Sequence, residues 1–390
     1  MADVFDIAIV GGGLVGAAMA LALSTGNHSV VLLEGAGLPS LPARDDWDVR
    51  VYAISPGNKR FLQSLGAWQL IPASRLASVR KMHVRGDQRE SQLILDAADA
   101  GGTELASIVE NRMLQHALWQ LLLAAPNVSV VCPGRLTSIE WAEESVSLRH
   151  EDGRELGCRL LIGADGAQSW VRGQAGIQAA HAAYGQKGVV ANFACERPHR
   201  GVARQWFFDD GILAWLPLPG ERMSMVWSVF DDKADSLLAL DGRALCERVA
   251  IAGDRELGAL TQLTPAAAFP LRLLRLSRTI GDRLALIGDA AHNVHPLAGQ
   301  GVNLGFQDVR LLASLLNGPG APADPGLRSV LRTYERGRKE DVLLMQLVTD
   351  GLQKLFNNRH PFLAGLRNIG LDVTGRMAPV RRLLIQHALG

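Results

Sequence analysis

Three carboxylates in this chain follow short apolar runs. Glu34 comes after Val30–Leu33, Asp165 after Leu160–Ile162 and two small residues, and Asp289 after Leu284–Ile287 and Gly288. Such runs read as buried strands, and open α/β sheets place ligands at the carboxyl ends of their strands. A carboxylate there accepts hydrogen bonds from ligand hydroxyls. The richest phrase, GDAAHNVHPLAGQGVN, runs from Gly288 to Asn303. Its glycines at 299 and 301, with Gly305, let backbone approach a flat ligand without side-chain collision. A helical pattern begins near Gly301 with Val302, Leu304, Phe306, Val309, Leu312 and Leu315. Its N-terminus turns unpaired N–H groups and partial positive charge toward the same place. That suits a cofactor that becomes anionic on reduction, as a flavin does along its N1–C2=O edge.

A second phrase opens the chain. Asp6–Val10 reads as a buried strand, Gly11-Gly12-Gly13-Leu14-Val15-Gly16 follows at once, and an Ala/Leu-rich helical stretch runs to Leu23. GxGxxG alone is weak. With a strand before it, a helix after it, and Glu34 about twenty positions on to accept from ribose hydroxyls, it reads as a dinucleotide-binding turn. The pyrophosphate then sits on the helix N-terminus. Glu34 disfavours a 2′-phosphate there, since two anions repel. The third phrase, Gly163-Ala164-Asp165-Gly166, again leads from an apolar strand into a turn and toward a helix. By itself such a turn is common.

The three phrases together, in this order and spacing, resemble the flavoprotein aromatic hydroxylases related to p-hydroxybenzoate hydroxylase, and within them most nearly the ubiquinone-biosynthesis hydroxylases. Further matches are Arg50 ahead of Ala53-Ile54-Ser55, then Leu65-Gly66-Ala67-Trp68, and Tyr184-Gly185-Gln186. The resemblance spans roughly residues 4 to 345, with one small departure at Asn58, where the subfamily often has Ser. It implies that Gly11, Gly13 and Gly16 hold the pyrophosphate of FAD and that Glu34 holds the adenosine ribose. Arg112 lies near the pyrophosphate and ribitol, and Asp289 binds the ribitol. Gly299, Gly301, Val302 and Asn303 line the flavin ring, and Pro296 counts with the cofactor-binding residues. Asp165 belongs to a motif associated with FAD and nicotinamide contacts, and Arg50 matches the arginine near the mobile flavin. The implied reaction is ring hydroxylation of a lipophilic phenol or quinol through a C4a-hydroperoxyflavin, with NAD(P)H and O2 as co-substrates. No catalytic acid or base can be named from spacing, and no second GxGxxG marks a nicotinamide domain.

Composition sets the bounds. At 390 residues and 48% hydrophobic content, two or three domains with a sizeable core are expected. A net charge of +1 gives no reason to invoke nucleic acid. Cysteines 132, 158, 195 and 246 lie far apart without CxxC spacing, which fits a reducing compartment and free thiols. His292 and His295 form an HxxH without acidic or cysteine companions at ligand spacing, so no metal is expected. Residues 7–23 lack charged side chains and approach a membrane span in length. Asp3 and Asp6 precede them, however, and glycines interrupt them, which fits neither a span nor a signal peptide. The expected location is the cytoplasm, at most peripheral to the inner membrane.

The expected fold class is α/β with an α+β insert. Residues 1–75, 100–180 and 280–345 would form a discontinuous Rossmann-like FAD-binding domain. Residues 76–99 and 181–279 would form a substrate domain, and 346–390 a helical C-terminal segment. Strand-like runs at 189–193, 203–208, 211–217 and 223–229, with turns at Asp209-Asp210-Gly211 and Pro219-Gly220, predict a mostly antiparallel sheet. Trp206, Phe208, Trp215 and Trp227 either line a substrate pocket or form that sheet's core. Among these strands Arg204 is the candidate for holding a substrate carboxylate; an Arg204 facing solvent would favour a lipophilic phenol. From Lys354 onward six Lys or Arg face one acidic residue, Asp372, at amphipathic helical spacing. That segment either packs as a helical subdomain or touches an anionic membrane surface, and a biosynthetic complex is the other partner to consider. The alternatives for function are an FAD hydroxylase of a soluble aromatic, a prenyl-chain reductase, and a non-catalytic flavin-fold subunit that organises a complex.

Overall fold

A computed structural model describes residues 3–38, 40–41, 43, 46–86, 92–293 and 301–356. Its first sheet grows from the apolar runs singled out above. Strands β1 (Asp3–Val10), β2 (Val30–Leu33), β8 (Val128–Val131), β11 (Glu155–Gly163), β18 (Ile280–Gly281) and β19 (Leu284–Leu286) pair in the order β18-β19-β11-β1-β2-β8. The β19-β11-β1-β2-β8 stretch is parallel. Antiparallel β9 (Leu136–Trp141) and β10 (Val146–His150) extend it beside β11. Ile7, Ile9, Leu32, Leu160 and Ile162 share one fully buried cluster, while Ala8, Val31, Leu33 and Leu161 share another on the opposite face. Burial on both faces explains why these strands read as unbroken apolar runs.

Register fixes where the motifs emerge. Val10 pairs with Leu33 on one side and Gly163 on the other, and Gly163 pairs with Leu286. The four strands therefore end in one row. Gly11, Glu34, Ala164-Asp165 and Gly288-Asp289 all leave the sheet at that edge.

Helices α1 (Leu14–Leu23), α3 (Asn111–Leu122) and α7 (Gly301–Asn317) cover one face through the first cluster. α1 is buried almost all round and makes its largest helix contacts with α7 and α3. A small antiparallel sheet of β3 (Val51–Ile54), β4 (Ala77–Val79) and β7 (Ala106–Glu110) stands beside them, with α2 (Pro56–Ser64) following β3. Helix α4 (Trp170–Gln174) follows the Asp165 turn, and α8 (Arg328–Phe356) closes the described chain; residue 346 lies inside α8. Among the described residues no helix is long and apolar enough to cross a membrane.

The middle of the chain forms a second eight-stranded sheet. Its strands are β5 (Lys81–Arg85), β6 (Gln92–Asp96), β12 (Ala179–Cys195), β13 (Val202–Phe208), β14 (Gly211–Leu218), β15 (Arg222–Phe230), β16 (Leu260–Gln262) and β17 (Ala267–Leu276). All pairs are antiparallel except β13 with β5. Helices α5 (Asp231–Leu238) and α6 (Gly242–Ala252), absent from the sequence expectation, cover one face. Trp206, Trp215 and Trp227 are buried on that face with Phe193, Leu237 and Val249, and Phe208 packs against the same cluster. The aromatic run is the core of this layer, and Phe208 and Trp227 also border a depression of about 280 Å³ beside Lys233 and Arg248, on the helix-covered face. Trp206 and Trp215 meet edge to face at 4.7 Å, a favoured aromatic geometry.

α1 and α7 approach closely because Gly305 has no side chain. A Cβ built there would come 2.5 Å from Val15 Cγ2. Gly305→Ala should therefore destabilise the fold by about 1–3 kcal/mol, the usual cost of overpacking. In denaturant unfolding, adding Val15→Ala should recover part of that loss; strictly additive effects of the two changes would disprove the contact.

Candidate cofactor site

The strand-end row is held together by contacts that only small residues permit. A Cβ on Gly11, whose φ is +105°, would strike the Ala164 carbonyl, and one on Gly16 would strike the Gly11 carbonyl. Gly288, at φ +59°, would meet Val15 Cγ1 at 3.1 Å. The first phrase thus touches both of the others. Trp119 Nε1 of α3 donates to the Gly12 carbonyl at 2.8 Å and Gln115 Nε2 donates to it at 3.3 Å. The Gly12 N–H donates to Glu34 Oε2 at 2.5 Å. Glu34 is half-buried, and its Oε1 also accepts from the Ala36 N–H at 2.7 Å.

The beginning of α1 stays open. Its N-cap, Gly13, is exposed and makes no side-chain cap bond; the first turn holds no acidic residue, and among the described residues a Cβ on Gly13 would meet nothing within 4 Å. A helix start of this kind presents uncompensated N–H groups to an anion. Beside it, Asp165 Oδ2 accepts from the Val171 N–H at 3.0 Å, while the buried Oδ1 has no partner among the described residues. These features fit a pyrophosphate on α1 with polar ligand atoms alongside.

Asp289 sits in a 3-10 turn, Gly288–Ala290, directly after β19. Its carboxylate is solvent-accessible, yet dense protein surrounds it, the signature of a recess. Burial in that recess pushes its pKa up, against the pull of His292 and Arg50 and with Asp308 adding to the rise.

Behind the turn lies a buried charge network that the sequence reading missed. Asp308, fully buried on α7, accepts from the Gly288 N–H at 2.9 Å, His292 Nε2 at 2.7 Å and Arg338 Nε of α8 at 2.7 Å. Burial alone would raise its pKa, but His292 and Arg338 outweigh that and hold it below the usual range. The stabilisation is therefore present above the ordinary carboxylate range and is lost as acid titrates through the lowered value. An Asp on the buried face of a predicted helix was the available signal.

Asn303 is 1% exposed and its side chain faces inward. It donates to the Ala53 carbonyl at 2.8 Å and accepts from the Ser55 N–H at 3.0 Å. Asn58 Nδ2 donates to both the carbonyl and Oδ1 of Asn303. The departure at Asn58 thus gives a side-chain amide that ties α2 to the start of α7. Val302 is also a core residue, so Val302 and Asn303 can offer a ligand their backbone but not their side chains. Gly301 opens α7, and a Cβ there would meet nothing within 4 Å among the described residues. Pro296, Gly299 and His295 lie outside the described residues.

Arg50 is exposed at the edge of β3, its guanidinium 5.4 Å from the Phe269 ring of β17, and it donates to Tyr52 Oη at 3.2 Å. Asp48 organises this approach. Its side chain accepts from the Arg50 and Arg112 N–H groups at 3.0 Å each, and its carbonyl accepts from Asn192 Nδ2 of the second sheet at 2.8 Å. Arg112 itself pairs with Asp46 at 3.0 Å and stands 3.6 Å from Asp48. Arg204 is neither free nor solvent-facing: Glu256 holds its Nε at 2.5 Å and the Val202 carbonyl its Nη1 at 3.0 Å. The four cysteines are free, and burial pushes the Cys158 and Cys195 thiols up to about 12. A depression of about 350 Å³ beside Leu315, Pro319 and Val330 lies at the far end of α7 and contains none of the motif residues.

A parallel sheet with three glycine-bearing turns on one edge, facing an antiparallel sheet, defines a flavin-binding fold. The FAD binding domain family matches residues 4–345, and the chain belongs to that family, with FAD as its cofactor. Over 99% of its length it is 37% identical to the ubiquinone hydroxylase UbiL of Rhodospirillum rubrum, covering 90% of that protein. It is 36% identical to the 3-demethoxyubiquinol 3-hydroxylase of Escherichia coli, covering 99% of this chain and 98% of that one. Among solved structures it resembles Pseudomonas aeruginosa PqsL in complex with 2-aminobenzoylacetate, with a TM-score of 0.78, 23% identity and coverage of 94% and 100%. Klebsiella pneumoniae HpxO complexed with FAD and uric acid gives a TM-score of 0.74 at 19% identity, covering 98% and 97%. These likenesses to solved structures concern the fold.

Two outcomes test the site. Asp308→Ala strands His292 and Arg338 and should cost about 3–5 kcal/mol in denaturant unfolding, as breaking a buried charge pair does; a loss near zero would show the network carries no load. For Asp289 the sign is opposite. Its raised pKa means that ionisation costs the apoprotein stability as pH rises through that value. Asp289→Asn should therefore raise the melting temperature of FAD-free protein at pH 7, with the gap closing toward pH 3, while weakening FAD binding roughly ten-fold. A lower melting temperature at pH 7 would contradict the recess.

Proposed function

We propose that this chain is an FAD-dependent monooxygenase that hydroxylates the aromatic ring of a polyprenylated phenol or quinol in ubiquinone biosynthesis, with NAD(P)H and O2 as co-substrates. The observation that carries this reading is the end-to-end relationship to hydroxylases of that name. Arg204 does not take the solvent-facing position that would have favoured a lipophilic phenol; it pairs with Glu256.

In this reading residues 1–75, 100–180 and 280–345 form the FAD-binding domain, and 76–99 with 181–279 the substrate domain. The N-terminus of α1, with Gly11, Gly13 and Gly16, holds the pyrophosphate, and the remaining lone pairs of Glu34 receive the ribose hydroxyls. Arg112 lends positive charge near the pyrophosphate, and the free oxygen of Asp165 accepts from a ligand donor. Asp289 accepts from the ribitol. The backbone from Gly301 directs the start of α7 at the ring, where its partial charge favours an anionic form. Bound FAD would supply the redox chemistry, namely hydride acceptance from NAD(P)H and oxygen transfer to the substrate ring. The protein's own task is to orient the ring and exclude water. Asn192, Ser224 and Ser228 lie on the sheet face opposite the tryptophans, the face that Asp48 joins to β3. The basic amphipathic segment expected to touch a bilayer lies, from residue 357 on, outside the described residues; ahead of it Leu343, Leu344 and Leu347 of α8, at 47, 46 and 54% exposure, add apolar surface suited to the same peripheral contact.

Denaturation should release free FAD; flavin that stays with the precipitate would contradict non-covalent binding. Oxygen uptake measured against product should show coupled hydroxylation of a short-chain prenyl phenol. Coupled turnover of hydroxybenzoates alone would defeat the ubiquinone assignment and leave the monooxygenase chemistry standing.

A further inference from the structure

Beyond Asp289 the recess has a wall that neither the motifs nor the comparisons assign. Tyr52 stands on β3 opposite Val109, half-buried, with Arg50 two residues before it on the same side of the strand. Arg50 Nη2 donates to its phenol oxygen at 3.2 Å. A guanidinium has no acceptor, so the phenol must direct its own hydrogen elsewhere. Among the described residues no acceptor takes it.

The start of α7 sets Tyr52 beside the recess, because Asn303 Nδ2 donates to the carbonyl of the next residue, Ala53, at 2.8 Å. Asp289 acts on Tyr52 electrostatically, as do Arg50 and Asp48, and Arg50 acts in turn on Asp289. Across from Arg50 stands Phe269 of β17, 40% exposed. Arg50 joins Tyr52 of β3 to Phe269 of β17, where the small sheet meets the second sheet. Burial, the largest influence, pushes the Tyr52 pKa up and keeps the hydroxyl protonated as a donor at neutral pH.

We propose that Tyr52 contacts the cofactor, donating its phenol hydrogen to the polar edge of the FAD ring system where that ring passes between Asp289 and Phe269. This rests on the assignment of the FAD ribitol to Asp289. Arg50 then does two things. It occupies the phenol's acceptor lone pair, so that the hydroxyl can only donate, and it lies over Phe269 at the mouth of the recess. Tyr52 is thereby a ring-positioning contact at the side where the substrate sheet meets the flavin.

The test uses the FAD-loaded protein. Tyr52→Phe keeps the aromatic volume and removes only the hydroxyl. On dilution, FAD release followed by flavin fluorescence should be roughly three- to ten-fold faster, the equivalent of one hydrogen bond. The absorption bands of the bound flavin should also shift, which a residue that merely supports β3 would not cause. Unchanged bands in Tyr52→Phe, with FAD release accelerated in Asp289→Ala, would overturn the proposal and leave the Asp289 site intact. Unchanged release in Asp289→Ala would overturn the placement of FAD itself, and the Tyr52 contact with it.

Discussion

Everything at the candidate site depends on backbone meeting backbone where four strands end level. Val10, Leu33, Gly163 and Leu286 form one row, and the turns after them converge only because Gly11, Gly16, Gly288 and Gly305 carry no side chain toward Ala164, Gly11 and Val15. A methyl group at Gly11 or Gly16 would strike a carbonyl that belongs to the same knot. A ligand laid along this edge can then touch three segments of chain separated by more than a hundred residues each.

Charge completes what the glycines allow. The turn that displays Asp289 is gripped at Gly288 N–H and at His292 by a single carboxylate, Asp308, and Arg338 of α8 compensates that carboxylate. On the other side of the recess Asp48 links β3, the start of α3 and the second sheet. Burying such groups is costly unless each is paired. The two networks therefore specify where the recess walls stand more than they add stability.

The parallel sheet was legible because its strands are buried on both faces and so appear as apolar runs ending in Gly or an acid. Glu34, Asp165 and Asp289 fell where those runs stop, and the structure puts all three on one edge. The antiparallel strands from Val189 to Val229 were legible through alternation and turns. α5 and α6 were not foreseen, although Asp241 caps α6 by accepting from the Ala244 N–H and Leu245 and Val249 lie at helical spacing. Without those helices, alternation could assign the tryptophans to a face but could not say what that face meets. Asp308, Asp48 and Tyr52 were invisible for a different reason: Arg338, 30 positions from Asp308, and Asn192, 144 positions from Asp48, meet them only in the fold, and Tyr52 acts only through the assembled recess. Asn303 was legible as a site position, yet its side chain serves the joint between α7 and β3.

The central claim is that one ligand occupies the whole strand-end row. Amide hydrogen exchange with and without FAD tests it directly. Simultaneous added protection at residues 11–16, 34–36, 164–172 and 288–293 is the predicted result, with the helices behind the second sheet unchanged. Protection confined to one of these segments, or centred on α5 and α6, would contradict it.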